Sequence, residues 1–385
     1  MDARARIESE ARARGFLVAW APVDLPEEAR LGYMDWLAAG NQAGMGYLEA
    51  RIEDRLAPTR RFSWAKSVLV LAASHAYPDP GLPEGGVRIG RVARYAWVRD
   101  YHTLLQPHIE SLENLARRLG LEAKGYVDHG PLSERSYAVL AGLGWIGKNA
   151  MLMRMEEGSY LTLAVLLTSL VLEDLPEERY PNRCGRCTRC FTACPTNALP
   201  GNGSLDARRC ISYWTIEHRG WIPTELWPGL GDWILGCDIC QQVCPWNRKA
   251  REFWQDFTPE AELAHPDVQD FFFLSGHAFA RKYAGTVFLR PGRTRLARNA
   301  LIALANAQDE RYLPLVRRAA EDVSPLVRAT AAHTLARLGD TAAAEKRLTD
   351  PDENVIREAR AALDQALCRV SPLATPETVP GGSRR

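Results

Sequence analysis

The chain has 385 residues and nine cysteines, eight of which fall between positions 184 and 244. Cys184, Cys187, Cys190 and Cys194 run straight into Pro195, giving C-x2-C-x2-C-x3-C-P. Thiolates are soft ligands. At this spacing three of them can wrap three corners of one [4Fe–4S] cubane while the fourth reaches a neighbouring cluster. Such a run implies a second, and Cys237, Cys240, Cys244 and Pro245 provide it, with Ile234 where a further ligand would stand. Cys210 is left to fill the gap. The eight then divide into Cys184, Cys187, Cys190 and Cys244 for one cluster, and Cys194, Cys210, Cys237 and Cys240 for the other. Zinc ribbons need only C-x2-C pairs and would leave the triple spacing and both Cys-Pro steps unexplained. A disulfide framework does not suit a chain of this size in a reducing compartment. Cys368 stands in an apolar helical pattern and reads as a plain core residue. Paired clusters pass electrons singly; the groups that use those electrons have to be sought in the rest of the chain.

The elements that position these groups can be read in outline. The length suffices for two or three domains. The formal net charge is +1, so an anionic partner would have to meet a local patch. The first fifteen residues are charged throughout and lack the apolar core of a signal peptide. The most apolar stretch, residues 160–172, is interrupted by Thr162, Thr168 and Ser169 and is too short to span a bilayer. A cytoplasmic protein with no membrane segment is expected. Residues 67–77 read as a buried strand, 160–172 as a strand or strand pair, 105–120 as an amphipathic helix ended by Gly120, and 121–128 as a short strand. This interleaving predicts an α+β protein with an N-terminal α/β domain over residues 1–175. Residues 176–255 form a bacterial-ferredoxin-like two-cluster domain. Residues 256–370 hold a connecting segment and alanine- and leucine-rich helices in which Arg298, Arg328 and Arg357 recur thirty and twenty-nine residues apart. That is the pattern of short HEAT-like repeats. Residues 371–385 have the composition of a disordered tail.

Residues 271–308 contain no Asp or Glu, but do contain Arg281, Lys282, Arg290, Arg293, Arg295 and Arg298. A basic stripe with interleaved aromatics at the start of helical repeats suits a phosphate backbone. A solvated helix face over core aromatics would give the same pattern.

Six segments, taken in order, resemble epoxyqueuosine reductases: ARYAWVRDYH at 93–102, VDHGPLSER at 127–135, AGLGWIGKN at 141–149, the first cysteine run, DARRCISYWTIE at 206–217 and GCDICQQVCPWN at 236–247. The resemblance covers most of the chain, and the repeats fit it. It implies an enzyme that removes the epoxide oxygen of epoxyqueuosine at the wobble position of tRNA to give queuosine, using cobalamin and two [4Fe–4S] clusters. The N-terminal domain would hold the cobalamin and be similar in fold to cobalamin-processing proteins and reductive dehalogenases. Tyr95, Asp100, His102, Asp128, Ser212 and Gln241 would lie beside the cofactor. Gly147 would let backbone approach the corrin, with Lys148 and Asn149 near its amide arms. His102 sits in a D-x-H run that lacks the following glycine, since Leu105 stands there. It is read as lining the site, or else as fixing a turn. Arg209 and Tyr213 would lie near the anticodon, because Cys210 pins their segment beside a cluster. Arg281, Lys282, Arg293, Arg295 and Arg298 would meet the rest of the tRNA.

The resemblance makes Asp128 the catalytic acid. Intrinsic acidity favours its neighbour His129, at about 6.5 against about 3.9 for an aspartate. For Asp128 to arrive protonated, burial in a closed site without a cationic partner would have to carry it to near neutrality. An external electron donor is required, and a monomer is expected. Two rival classes remain. One is a corrinoid-dependent reductive dehalogenase, although the usual twin-arginine signal is absent. The other is a non-catalytic iron–sulfur carrier with an RNA-docking module, which would need neither acid nor cofactor pocket. The cysteine division makes a prediction. Cys210→Ala should lower the iron content of anaerobically reconstituted protein from about eight toward about four per chain. An undiminished iron count would remove Cys210 from the ligands.

Overall fold

The computed structural model describes residues 2–173, 180–250 and 254–370. The side chain of Cys368 and the tail 371–385, both read above from sequence, lie outside the described residues. The chain divides into two compact units, Met1–Ala303 and Leu304–Arg385.

The first unit is built on a four-stranded sheet. Its strands are β1 (Leu17–Pro22), β2 (Ser67–Ser74), β4 (Ala123–Val127) and β7 (Leu161–Thr168), in the order β1-β2-β7-β4. The run SVLVLAAS is apolar on both faces, as a strand covered from both sides requires, and all eight of its residues are buried. Residues 160–172 supply one strand, β7, not a pair. Every neighbouring pair runs antiparallel. The N-terminal part is therefore α+β, which corrects the α/β reading. Alternation of helices and strands along the chain does not set strand direction, and the long excursion between β2 and β7 brings the chain back antiparallel.

The amphipathic helix expected before β4 spans Tyr101–Arg118. The helices before it, α1 (Ala3–Ala13), α2 (Glu27–Ala38) and α3 (Ile52–Leu56), make this one α4. The Asp100 side chain caps it by accepting the His102 N–H at 3.0 Å. Its apolar face, Leu105, Ile109, Leu112 and Ala116, is buried. Helix and strand meet closely at Gly125, where a Cβ would stand 2.1 Å from Ile109 Cγ2. Glu113 is the one charged residue buried on this face; its carboxylate accepts the Gly125 N–H at 3.0 Å and a bond from Arg117. On the other face, Val68, Val70, Ala72 and Val165 pack with Tyr137 and Ala138 of α5 (Glu134–Leu140).

Two further strand pairs tie later segments to this core. β3 (Arg91–Val92) runs parallel to β8 (Trp233–Leu235), which joins the N-terminal part to the cysteine-bearing segment. β5 (Trp145–Ile146) pairs with β6 (Leu152–Met153).

Arg298 overturns its sequence reading. It is fully buried, at 0 % exposure. Its guanidinium donates to the carbonyls of Trp214, His218 and Gly220 at 2.8, 3.0 and 2.6 Å. Asn299 Nδ2 donates to the carbonyls of Thr215 and Ile234, both at 2.8 Å. Together they hold the π-helical turn Tyr213–Glu217 by supplying donors to its Trp214 and Thr215 carbonyls. Burial, reinforced by the nearby Arg295, lowers the Arg298 pKa to about 9. A side chain so enclosed cannot meet a phosphate.

In the second unit the helix Pro325–Arg337 is buried along most of its length and packs on Glu353–Val370. Arg328 holds Asp350 through two bonds of 2.8 Å, whereas Arg357 is exposed. The recurring arginines thus share a sequence period but not a task. Among the described residues no helix is long and apolar enough to cross a membrane.

Arg298→Met should lower unfolding stability by roughly 3 kcal/mol, since three carbonyls lose a charged donor held by a buried side chain. It should also reduce iron content, because Cys210 lies only three residues before the turn. An unchanged urea midpoint would show that those carbonyls find other partners.

Candidate active site

The two cysteine runs turn through short helices, Arg189–Thr192 and Ile239–Gln242, that pack on each other. Burial raises the Cys244 thiol, and Cys184 and Cys187 add to the rise. Cys190 rises through burial, with Cys184 and Cys244 contributing. Burial likewise raises Cys237, with Cys210 and Cys194 as charged neighbours. Cys240 rises through burial, Cys237 and Cys210, and more weakly through Cys190. The electrostatic neighbours therefore form two sets, 184/187/190/244 and 194/210/237/240, which meet between Cys190 and Cys240. Among the described residues no three His, Cys, Asp or Glu side chains close around a single metal ion. A cubane asks for a wider arrangement, because its thiolates bind separate corner irons.

Beside the second set lies a cavity of ≈ 1290 Å³, above the range of about 300–1,000 Å³ that serves most small ligands. Ser212 and Gln241, close neighbours of Cys210 and Cys240 in the chain, form part of its wall. Tyr95, Asp100, His102 and Asp128 line it as well. Gly147, Lys148 and Asn149 do not. Lys148 Nζ instead donates to the carbonyls of Gly185 and Cys187 at 2.8 and 3.0 Å, so the loop grips the first cysteine run. Asn149 is buried, with Nδ2 unpartnered. Gly147 was expected to approach the corrin, but a Cβ there would instead meet Asn149 Oδ1 at 2.6 Å and Met153 Cγ at 2.7 Å, neither of which lines the cavity.

Asp128 follows β4 with a left-handed φ of 58°, a conformation that Asp and Asn adopt more readily than most residues. Its side chain is 61 % exposed, opening into the cavity. It accepts the Tyr101 O–H at 2.6 Å, and His102 Nε2 stands 3.6 Å away. The other ring nitrogen, His102 Nδ1, lies 2.7 Å from Asp100 Oδ1. Burial pushes the Asp128 carboxyl up, but bonds from His102 and Tyr101 and the charges of His102 and Arg290 outweigh it and hold the pKa below its usual value. Burial pushes His102 down, but its bonds to Asp100 and Asp128, with their charges, lift it to about 9. The condition set for a protonated Asp128, a site without a cationic partner, is not met here: His102 and Arg290 are both close, and they favour the ionised carboxyl. His129 also lines the cavity, its ring 6.0 Å from that of His102, with Nδ1 2.5 Å from the Val127 carbonyl.

Two cavity residues escaped the sequence reading. His75 is buried, pairs with Thr162 Oγ1 at 3.0 Å, and is kept neutral by burial and Arg94, with a pKa of about 3. Glu134 has a buried Oε1 without a hydrogen-bond partner; burial and the Asp128 charge push its pKa up to about 8. Glu134 lay within the motif that carried the resemblance, yet its sequence gave no sign that its carboxyl would be buried.

The cations are also redistributed. Arg51, Arg55 and Arg61, none of them singled out from sequence, line the cavity with Arg290. Arg290 pairs with Glu217 at 2.7 Å. Arg293 donates to the Phe271 carbonyl, and Arg295 to the carbonyls of Ile216 and Pro291. Lys282 pairs with Asp270. Arg209 and Arg281 are exposed, and the Tyr213 hydroxyl accepts the Gly44 N–H at 3.1 Å. The basic window is thus partly neutralised and partly engaged with backbone.

Paired cysteine sets beside a large cavity that holds a network of ionisable side chains define the class as an iron–sulfur oxidoreductase. Residues 183–247 match the 4Fe-4S double cluster binding domain, residues 55–129 match Epoxyqueuosine reductase QueG, DUF1730, and residues 288–364 match HEAT repeats. The epoxyqueuosine reductase of Bacillus subtilis is 36% identical over 319 residues, spanning 79% of this chain and 81% of the relative. That of Escherichia coli is 38% identical over 280 residues, 72% of this chain and 71% of the relative. A crystal structure of epoxyqueuosine reductase with a tRNA-Tyr epoxyqueuosine-modified stem loop matches with a TM-score of 0.86 at 30% identity, over 94% of this chain and 98% of that one. A Streptococcus thermophilus epoxyqueuosine reductase matches with a TM-score of 0.83 at 28% identity, over 96% and 99%. The chain belongs to the epoxyqueuosine reductase family and carries its double [4Fe–4S] cluster domain.

The His102 pKa, raised from 6.5 to about 9, fixes a sign. The ion pair with Asp100 and Asp128 is fully present below about pH 6.5 and is lost as pH rises through about 9. Histidine-labelled NMR should show His102 titrating well above 6.5, with a lower midpoint in Asp128→Asn. An ordinary midpoint in the wild type would mean that the network does not form in solution.

Proposed function

We propose that this chain reduces the epoxide of epoxyqueuosine in tRNA to the alkene of queuosine, with Asp128 and His102 as the proton-delivering pair. The observation that carries this reading is the position of that pair, in a cavity whose wall includes the neighbours of Cys210 and Cys240. Electrons and protons can thus meet at one substrate. The overall change is epoxide plus two electrons and two protons to alkene plus water. The cysteine sets, as two clusters, supply electrons singly. Their electrostatic grouping supports the division into Cys184, Cys187, Cys190 and Cys244, and Cys194, Cys210, Cys237 and Cys240.

The cavity suits cobalamin in size, and Arg55 Nε, buried there without a partner, suits an acceptor such as an amide arm. Tyr95, Ser212 and Gln241 would hold the cofactor. When bound, cobalamin would supply a strongly nucleophilic, redox-active metal centre. The chain's own residues do the rest. Tyr101 fixes the Asp128 carboxylate by its 2.6 Å bond. The Asp128–His102 pair holds one proton through neutral pH and titrates as a unit; it passes that proton to the oxygen released by C–O cleavage. Arg51, Arg61 and Arg290 offer positive charge to the phosphates of a splayed anticodon loop, whose bases can leave their stack. Arg209, Tyr213 and Arg281 would extend that contact outward. We place the enzyme in the cytoplasm, as a monomer served by an external electron donor.

The test is anaerobic turnover of an epoxyqueuosine-containing stem loop with reductant and cobalamin. Asp128→Asn should bind the stem loop normally and lose activity by roughly a hundredfold or more. His129→Asn should keep most of its activity. The reverse pattern would make His129 the donor.

A further inference from the structure

Loss of an epoxide oxygen as water takes two protons, and the reading above, on which this inference rests, names a donor for one. Glu134 opens α5 and lines the same cavity as Asp128. Its Oε1 is buried and has no hydrogen-bond partner. An ionised carboxylate buried with one oxygen unsatisfied is strongly disfavoured, which favours the protonated form. The facing groups do not change this. Asp128 brings further negative charge, and Tyr33 a hydroxyl. Arg55 and Arg135 are near enough to be felt, but Arg55 donates to the Leu132 carbonyl at 3.0 Å and Arg135 to the Ala150 carbonyl. Two carboxyl groups in one cavity thus stand in opposite states. Bonds from Tyr101 and His102 hold Asp128 below the usual carboxylate range, whereas at Glu134 a bond from its own backbone N–H and the charges of Arg55 and Arg135 do not offset burial and the Asp128 charge, which push its pKa up to about 8. Divergent environments of this kind separate acid and base roles in a single site.

We propose that Glu134 is the second proton donor of the cavity, protonating the oxygen as it departs as water. The balance closes. Cleavage of the first C–O bond takes one electron and leaves an oxyanion and a carbon-centred radical, and the Asp128–His102 pair converts the oxyanion to a hydroxyl. The second electron completes a pair on that carbon, which forms the C=C bond as the second C–O bond breaks, and the Glu134 proton makes the departing hydroxide water. The Glu134 carboxylate recovers its proton from solvent entering the cavity.

Glu134→Gln keeps the shape but has no proton to give. In the cluster- and cobalamin-loaded enzyme its kcat on the epoxyqueuosine stem loop should fall on the order of a hundredfold, with KM little changed. Glu134→Asp should recover part of the loss. Infrared spectroscopy of the resting enzyme should show a neutral-carboxyl band that titrates near pH 8 and is absent from Glu134→Gln. Three outcomes overturn the proposal: turnover by Glu134→Gln within about twofold of wild type, turnover lost without any such band in the wild type, or a band that survives in Glu134→Gln. Failure of the wild type itself to convert the stem loop would strike the reaction assigned above. The band reports on Glu134 whether or not turnover occurs.

Discussion

A single buried guanidinium underlies the organisation of the site. Arg298 and its neighbour Asn299 saturate the carbonyls around the π-helical turn Tyr213–Glu217. That turn begins three residues after Cys210, and its Ser212 flank forms cavity wall. If those carbonyls had no donors, the turn would relax toward an ordinary helix. Ser212 and Ile216 would then shift against the cavity, and Cys210 would move relative to Cys194 and Cys237. The segment that carries Cys210 and the cavity-lining Ser212 is thus held by side chains, Arg298 and Asn299, that do not line the cavity.

Within the chamber, what decides each proton is the company a group keeps rather than its intrinsic acidity. Asp128 and Glu134 have similar carboxyls, yet one is surrounded by His102, Tyr101 and Arg290 and the other by none of them. His75 and His102 contrast in the same way. His75 is buried beside Arg94 and stays neutral, while His102 lies between two aspartates and is charged. His102 and Glu134 therefore both favour their protonated forms at neutral pH.

The cysteines, β2, β7 and α4 were legible in the sequence because each follows from a local rule: ligand spacing, an apolar run, or a 3.6-residue period. Asp128 was legible through its motif, but its protonation state was not, since that depends on His102, twenty-six positions away. Arg298 was misread for a related reason. An arginine in an acid-free window looks like surface, and only the fold shows that Trp214, His218 and Gly220 wait for it. Strand direction in the sheet, the turning of Lys148 toward the first cysteine run, and the unpaired Glu134 carboxyl are likewise properties of long-range packing.

The parallel pairing of Arg91–Val92 with Trp233–Leu235 bears on how the protein is made. Synthesis delivers the chain from its N-terminus, and domains tend to fold as they emerge. Here the N-terminal core cannot complete β3 until β8 has left the ribosome, and the turn after Cys210 waits longer still, for Arg298. The first cysteine run is therefore exposed as free thiols well before its surroundings exist. Metal loading on a growing chain would meet an open, incomplete site, so the order of events favours insertion of the clusters only after most of the first unit has been synthesised.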